Sequence, residues 1–204
     1  MAGYRPIMTI HKIKNTAENM KPENLSLYDI KCLRYLAGND VLMSDTDKLT
    51  IDWAEALVVS GYKSNNAYIL ASLSLDKYID SYEVEHYFGL LCKELEPAAV
   101  NINMPQAVFC LFKQDLLRIA DADSRIVQCY ILSGLIYRWY DINHYIFNKI
   151  LTYLNQSYYY HYDYLVDIEG NVPGYEERSF IEVREIAERF YRLLSQLEAM
   201  NIPR

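Results

Sequence analysis

Apolar residues recur three and four positions apart along most of the chain, which is the spacing that places them on one face of an α-helix. Residues 27–37 are the first to show it. Ser26 precedes them and Asp29 follows three positions later, so these two side chains can form a capping box with the first free backbone N–H groups. Gly38 and Asn39, residue types that end helices, come directly afterwards. The pattern predicts a capped helix between Ser26 and Asn39.

Two short helices joined by a turn are predicted next. Trp53 and Leu57 share the apolar stripe of the first, which Gly61 is placed to end. Ser64 is placed to cap the second, whose stripe includes Leu70. The segment therefore predicts a helical hairpin.

Longer helices are predicted in the middle of the chain. One begins with Ser81 as its cap and stops at Pro97. A second covers residues 105–121, with Pro105 in its first turn. Residues 125–139 are apolar on nearly every side, which predicts a central helix surrounded by neighbours. The predicted buried faces of the first two contain Val84, Tyr87, Phe88, Leu91 and Leu95, and Val108, Phe109, Phe112, Leu116, Ile119 and Ala120.

Two more helices are predicted towards the carboxyl end. One starts near Ile142, and Ser179 with Glu182 forms a predicted capping box for the last. Their predicted seams contain Ile142, Ile146, Ile150 and Leu154, and Val183, Ile186, Phe190, Leu194 and Leu197.

These elements predict an all-α fold, an irregular array or bundle of about seven to eight helices, arranged partly as helical hairpins in the manner of an α-solenoid. Residues 1–24 mix polar and basic positions with two prolines, which predicts an irregular N-terminal arm. Residues 25–204 are predicted to form a single all-helical domain, because a chain of this length can bury one substantial core. Alternating tyrosines between 158 and 164 leave a short strand open as an alternative there.

The net charge of the chain and the distribution of its basic residues limit the classes of partner that it is expected to bind. The net charge is −7 at pH 7, and the lysines and arginines are scattered along the chain. Nucleic-acid binding depends on clustered positive charge that releases counterions from phosphates, so no nucleic-acid partner is predicted. An acidic surface suits a basic protein partner, although solubility alone also explains this charge.

No membrane or export segment is predicted. The first 15 residues lack the apolar core of a secretory signal. The strongest apolar run, from Ile126, is interrupted by Gln128, Ser133 and Arg138 and is shorter than the roughly 20 residues that span a bilayer. We therefore expect a cytoplasmic protein, in which the four cysteines, without CxxC spacing, are reduced core thiols.

Two carboxylate-x-x-His spacings are the clearest candidate chemistry. Glu83 with His86, and Asp141 with His144, have the spacing of metal ligands in ferritin-like helical bundles. At 100° per residue, however, His86 lies about 200° from the seam at Val84, on the polar side, and His144 is turned away from its own seam in the same way. We predict two surface histidines, no metal and no catalytic residue. A helical metal-dependent or hydrolytic enzyme using these four residues stays open as an alternative.

Other cofactor and catalytic motifs are missing from the sequence. It contains no GxGxxG or GxxxxGK phosphate loop and no GxSxG elbow. We therefore predict no cofactor.

Tyrosine is the unusual component of the composition. The chain has 20 tyrosines in 204 residues, and five of them fall in SYYYHYDYL at 157–165. A tyrosine ring is rigid and apolar with a polar tip, which suits contact with another protein. Tyrosines at the rim of a core, or an AT-rich coding sequence that also explains the 13 asparagines, are alternatives to this interpretation. The predicted partner-binding residues are Tyr137, Tyr140, Tyr145, Tyr158, Tyr159, Tyr160, Tyr162 and Tyr164.

The segment from Trp53 to Leu95 carries a further pattern. A helix ends at a glycine, a serine opens a helix with the sequence Leu-Ala-x-Leu, and the next helix ends in Glu-Leu. The residues are Gly61, Ser64, Leu70, Ala71, Leu73, Glu94 and Leu95. This arrangement, about a fifth of the chain, resembles small helical immunity proteins encoded beside bacterial polymorphic or contact-dependent toxins.

The resemblance implies a non-enzymatic inhibitor that binds a cognate toxin and occludes it. It also implies that the acidic surface and the tyrosine cluster are where a basic toxin domain would make contact. A homodimeric structural protein, in which the tyrosines meet their symmetry mates, is a second alternative.

Overall fold

The structure is a computed structural model, and it describes residues 20–39, 45–96, 101–139, 145–158 and 175–201. These residues form eight α-helices and two short 3-10 helices, with no strand among them, which confirms the predicted all-α fold. The α-helices are α1 (Leu27–Gly38), α2 (Thr46–Val59), α3 (Asn65–Ser72), α4 (Ser81–Leu95), α5 (Met104–Ala120), α6 (Arg125–Trp139), α7 (Tyr145–Tyr158) and α8 (Tyr175–Asn201). The 3-10 helices are Pro22–Asn24 and Leu73–Leu75.

The predicted caps of α1 and α3 and the predicted turn at Gly61 are confirmed. The backbone N–H of Asp29 donates to Ser26 Oγ at 3.2 Å, and the N–H of Ser26 donates to Asp29 Oδ2 at 2.9 Å, which completes the capping box of α1. Gly61 follows α2 with a φ of 95°, a left-handed conformation that favours glycine. Ser64 Oγ accepts from the N–H of Ala67 at 3.3 Å and caps α3.

Two predicted caps are wrong. α4 is capped by Asp80, whose Oδ1 accepts from the N–H of Tyr82 at 2.9 Å, and Ser81 is the first helical residue. An anionic carboxylate is a stronger acceptor at a helix start than a hydroxyl is. Ser179 lies within α8 and is buried, because the helix already begins at Tyr175. The glutamates and arginine of residues 176–178 are good helix formers and extend α8 towards its amino end.

The prediction that residues 125–139 form the central helix is also wrong. In α6, Ile126 is 83% exposed and Tyr130 is 49% exposed. The more completely buried helix is α5, in which every residue from 110 to 116 is buried. Lys113, Gln114 and Asp115 belong to that run. Polar residues are mostly exposed in proteins, so a hydrophobicity pattern does not predict that these three are buried.

Residue contacts divide the chain into two compact units, Met1–Ala107 and Val108–Arg204. The division falls within the continuous helix α5, so the prediction of one domain over residues 25–204 stays a prediction. Of the predicted N-terminal arm, only residues 20–24 are described. They include buried Met20 and the 3-10 helix Pro22–Asn24, and the remainder lies outside the described residues.

The first unit packs α2 against α3 and α3 against α4. Trp53 lies at its centre, 2% exposed, with its ring edge towards Phe88 at a centroid distance of 6.2 Å. The indole Nε1–H donates to the Leu25 carbonyl at 3.0 Å, which attaches the segment before α1 to this core. Other buried residues of this core include Ile30, Leu33, Leu36, Ile51, Leu70, Val84 and Leu91.

The second unit packs α6, α7 and α8 against one another. Gln128, with no exposed surface, donates from Nε2 to the carbonyls of Phe180 at 3.1 Å and Ile119 at 3.4 Å. Arg184 of α8 donates to the carbonyl of Ala122 at 2.9 Å. The Gln128 bonds join α6 to α5 and α8, and the Arg184 bond joins α8 to the turn between α5 and α6. The core includes Leu111, Phe112, Leu116, Ile119, Leu132, Leu154, Val183 and Leu194.

Among the described residues, none of the helices combines the length and the apolar character required to cross a bilayer.

Candidate functional site

Large apolar side chains point into solvent where the chain passes from α3 to α4. Leu75 is 86% exposed, Tyr78 78%, Ile79 36% and Tyr82 78%. We call these four residues the α3–α4 surface. Single exposed apolar residues are ordinary, but four within eight consecutive positions form a concentration of the kind found at protein contact sites.

The backbone on both sides of this surface is held by local structure. Leu73, at the start of the 3-10 helix, is buried, and the N–H of Asp76 donates to its carbonyl at 3.3 Å. At the other end, Asp80 caps α4, and buried Val84 anchors the first turn of that helix in the core. Leu75, in the 3-10 helix, and Tyr82, in the first turn of α4, therefore lie on hydrogen-bonded backbone beside buried anchors, which reduces the entropy lost when a partner binds.

Charged side chains alternate with the apolar ones. Asp76, Asp80 and Glu83 are exposed, and none of them forms an ion pair with a described residue. Lys77 is the basic residue of this stretch, and its Nζ lies 5.2 Å from the centroid of the Tyr78 ring. The face of an aromatic ring is electrostatically negative and attracts a cation at this distance. The surface therefore combines apolar area, negative charge and a ring that already contacts a cation.

A cavity of about 670 Å³ lies between α1, α2 and α4, and its lining includes Arg34. The guanidinium of Arg34 donates to Asp47 at 2.7 Å, to Glu85 at 2.6 Å and to Thr50 at 3.1 Å. It also lies 5.2 Å from the centroid of the Phe88 ring. Since carboxylates of the same unit already neutralise this cation, we interpret the cluster as a connection between three helices, not as a ligand site.

Most of the predicted tyrosine cluster lies outside the described residues. Tyr137, Tyr145 and Tyr158 belong to α6 and α7, and only their backbone is described. The predicted residues Tyr140, Tyr159, Tyr160, Tyr162 and Tyr164 lie outside the described residues, as does the alternative strand at 158–164. Contact between this cluster and a partner stays a prediction.

The first of the two carboxylate-x-x-His pairs is described. Glu83 and His86 are both exposed, and the His86 ring lies edge-on to Tyr87 at a centroid distance of 5.1 Å. Asp141 and His144 lie outside the described residues, so the metal alternative stays untested. In the part of the chain that the structure describes, no three His, Cys, Asp or Glu residues are grouped to hold a metal ion.

The four cysteines are free thiols. Cys32 and Cys110 are buried, whereas Cys92 and Cys129 are half-buried. Burial raises the pKa of the Cys92 thiol above its ordinary value, and neighbouring Lys31 only partly opposes this. A raised pKa keeps Cys92 in its less reactive protonated form at neutral pH.

Sequence reasoning did not identify the α3–α4 surface. Its four residues stand at positions i, i+3, i+4 and i+7, the same pattern that marks a buried helix face. The informative signal was their position, because residues 75–80 fall between two predicted helices, where a joint is ordinarily polar. Apolar side chains in a joint indicate either an extra buried element or a contact surface.

No protein-family model matches the chain, and neither a curated protein nor a solved structure matches it.

Proposed function

We propose that this chain is a non-enzymatic protein-binding module of the bacterial cytoplasm, an immunity-type inhibitor that occludes a cognate toxin. The observation that carries the proposal is the α3–α4 surface, where Leu75, Tyr78 and Tyr82 are largely exposed between the anchored ends of two helices. Tyrosine and large apolar side chains supply much of the binding energy at protein interfaces, because they bury area at low cost in rotamer entropy.

The resemblance to immunity proteins adds independent support, because the resembling segment from Trp53 to Leu95 contains the whole α3–α4 surface. An inhibitor of this kind needs no catalytic group. It acts by covering the partner's functional surface, with apolar anchors at the centre of the contact and charged residues around them.

Co-expression with the toxin-like product of an adjacent reading frame tests the proposal. We expect the chain to restore growth of cells that express the toxin and to co-elute with it. The triple variant Leu75→Ser, Tyr78→Ser, Tyr82→Ser should lose both effects. A matched control is Ile126→Ser, Tyr153→Ser, Ile181→Ser, which changes three exposed apolar residues of the second unit and should keep both.

Two further measurements separate the proposal from its alternatives. Stoichiometric iron, manganese or zinc in the purified protein would favour the metal-dependent enzyme over the binding module. Size-exclusion chromatography at low concentration should show a monomer in the absence of the toxin. A dimer that does not dissociate would favour the structural homodimer.

A further inference from the structure

Some acidic residues of the first unit already have side-chain partners among its described residues, and others do not. Several are committed within the unit: Asp47 and Glu85 pair with Arg34, Glu96 pairs with Lys31 at 2.5 Å, and Glu94 accepts from Ser64 and Asn66. By contrast, Asp76, Asp80 and Glu83 are exposed among the residues of the α3–α4 surface and are not ion-paired with a described residue. Negative charge is therefore available at the apolar surface itself.

The contact between Lys77 and Tyr78 shows that a cation fits near the exposed Tyr78 ring. Lys77 Nζ is 5.2 Å from the centroid of the Tyr78 ring, and both residues are exposed. A flexible lysine on an exposed ring gains little and is easily displaced. An arginine stacks on such a ring more effectively, because its guanidinium is planar and less strongly hydrated.

We propose that the α3–α4 surface binds a lysine- and arginine-rich segment of a protein partner, in which a partner guanidinium replaces Lys77 on the face of Tyr78. Asp76, Asp80 and Glu83 neutralise the partner's remaining cations, and Leu75 and Ile79 pack against its apolar stems. This inference rests on the proposed binding function and specifies the site and the chemistry of its ligand.

Charge also distinguishes the partner from a second copy of this chain. In a two-fold contact the same patch, with three acids and one lysine, would meet its own copy, and the excess of negative charge would oppose association. The net charge of −7 adds to this repulsion. The surface therefore suits a cationic partner better than itself.

The first experiment measures binding of a synthetic arginine–alanine peptide, with a glutamate–alanine peptide of equal length as the negative probe. We compare the wild type with Asp76→Asn, Asp80→Asn, Glu83→Gln. Asparagine at position 80 still caps α4, so the helix start is retained. The control variant, Asp121→Asn, Glu177→Gln, Glu185→Gln, makes the same change in net charge with exposed residues of the second unit.

We expect the surface variant to bind the arginine peptide about tenfold more weakly and the control variant less than about twofold more weakly at physiological salt. Lys77→Gln should strengthen binding by about twofold to fivefold, because it removes the competing cation. Tyr78→Phe should bind as the wild type does, and Tyr78→Leu should lose affinity. Equal weakening by both charge variants, or full affinity of Tyr78→Leu, would overturn the inference.

The second experiment repeats the toxin-protection assay with the charge variants. Loss of protection only in the surface variant supports the inference. Full protection by the surface variant would leave the proposed function intact and refute this site. A wild-type chain that binds the arginine peptide at the α3–α4 surface but protects against no adjacent toxin would leave the site intact and refute the immunity role. A dimer that the Leu75→Ser, Tyr78→Ser, Tyr82→Ser variant dissociates would assign the surface to a second copy instead.

Discussion

Trp53 combines a core contact with a long-range hydrogen bond in one side chain. Its ring packs against Phe88, and its Nε1–H satisfies the buried Leu25 carbonyl at 3.0 Å. We predict that Trp53→Phe lowers the free energy of unfolding by about 1–3 kcal/mol, because the carbonyl loses its donor. Trp53→Ala should cost about 3–5 kcal/mol, since it also leaves a cavity.

Urea denaturation followed by far-UV circular dichroism measures the free energy of unfolding of both variants. The control is the exposed substitution Tyr78→Phe, with an expected change below about 0.5 kcal/mol. A Trp53→Phe variant as stable as the wild type would show that water satisfies the carbonyl.

Asp52, on α2, gives a prediction with a defined pH dependence. Burial raises the pKa of its carboxyl group above the ordinary value, and the charge of Lys48 partly opposes this. Because the folded state holds the proton more tightly, the stabilisation exists below the unfolded pKa and is lost as the pH rises through the folded pKa. Asp52→Asn should therefore be more stable than the wild type at pH 7, by a few tenths of a kcal/mol, since solvent screens this half-buried group.

Thermal unfolding of Asp52→Asn and the wild type at several pH values checks this sign. The difference in melting temperature should be largest near neutral pH and should vanish in acid, where both side chains are uncharged. A variant that is less stable than the wild type at pH 7 would mean that the Asp52 carboxylate makes a favourable interaction that outweighs its burial.

Individual helices are joined by a small number of polar side chains, and Arg34 is the clearest example. It connects α1 to Asp47 of α2 and Glu85 of α4, at 2.7 and 2.6 Å. We predict that Arg34→Lys lowers the free energy of unfolding by about 1–2 kcal/mol, because a single ammonium group cannot reproduce the planar fork that reaches both carboxylates. The matched control is Arg192→Lys, in the exposed pair with Glu188 on α8, with an expected change below about 0.5 kcal/mol. Equal effects in chemical denaturation would show that the connection contributes no more than a surface ion pair.

Local chemistry explains which elements were predictable from the sequence. The ends of α1 and the turn at Gly61 depend on neighbouring residues alone, and these predictions are confirmed. Ser81 and Ser179 are the predicted caps, because serine favours that position. In the structure, Asp80 competes successfully for the first position, and the helix around the second begins earlier. A cap can be predicted where one candidate is present, and the choice fails where several residues compete or where the preceding residues also favour a helix.

Tertiary packing limits what the sequence predicts about the whole molecule. The polar residues Lys113, Gln114 and Asp115 give α5 an amphipathic pattern although all three are buried. The apolar composition of α6, in turn, gives no indication that Ile126 is exposed. The exposure of the α3–α4 surface was unpredictable for the same reason. The spacing of apolar residues shows which of them share a face, but it does not show whether other residues cover that face. The candidate site therefore required the structure, whereas the expectation of a binding function came from composition and resemblance.

Net charge and exposed apolar area act against each other in the molecule as a whole. The chain carries −7 at pH 7 and reaches zero net charge near pH 5.1, where the repulsion that keeps copies apart disappears. We predict that light scattering by the wild type rises as the pH falls towards this value. The triple variant Leu75→Ser, Tyr78→Ser, Tyr82→Ser should show a smaller rise, because it removes the apolar α3–α4 surface without changing any charge. The control Ile126→Ser, Tyr153→Ser, Ile181→Ser should scatter more than that variant. If both triple variants scatter equally, the α3–α4 surface contributes no more to self-association at the isoelectric point than the exposed apolar residues of the second unit do.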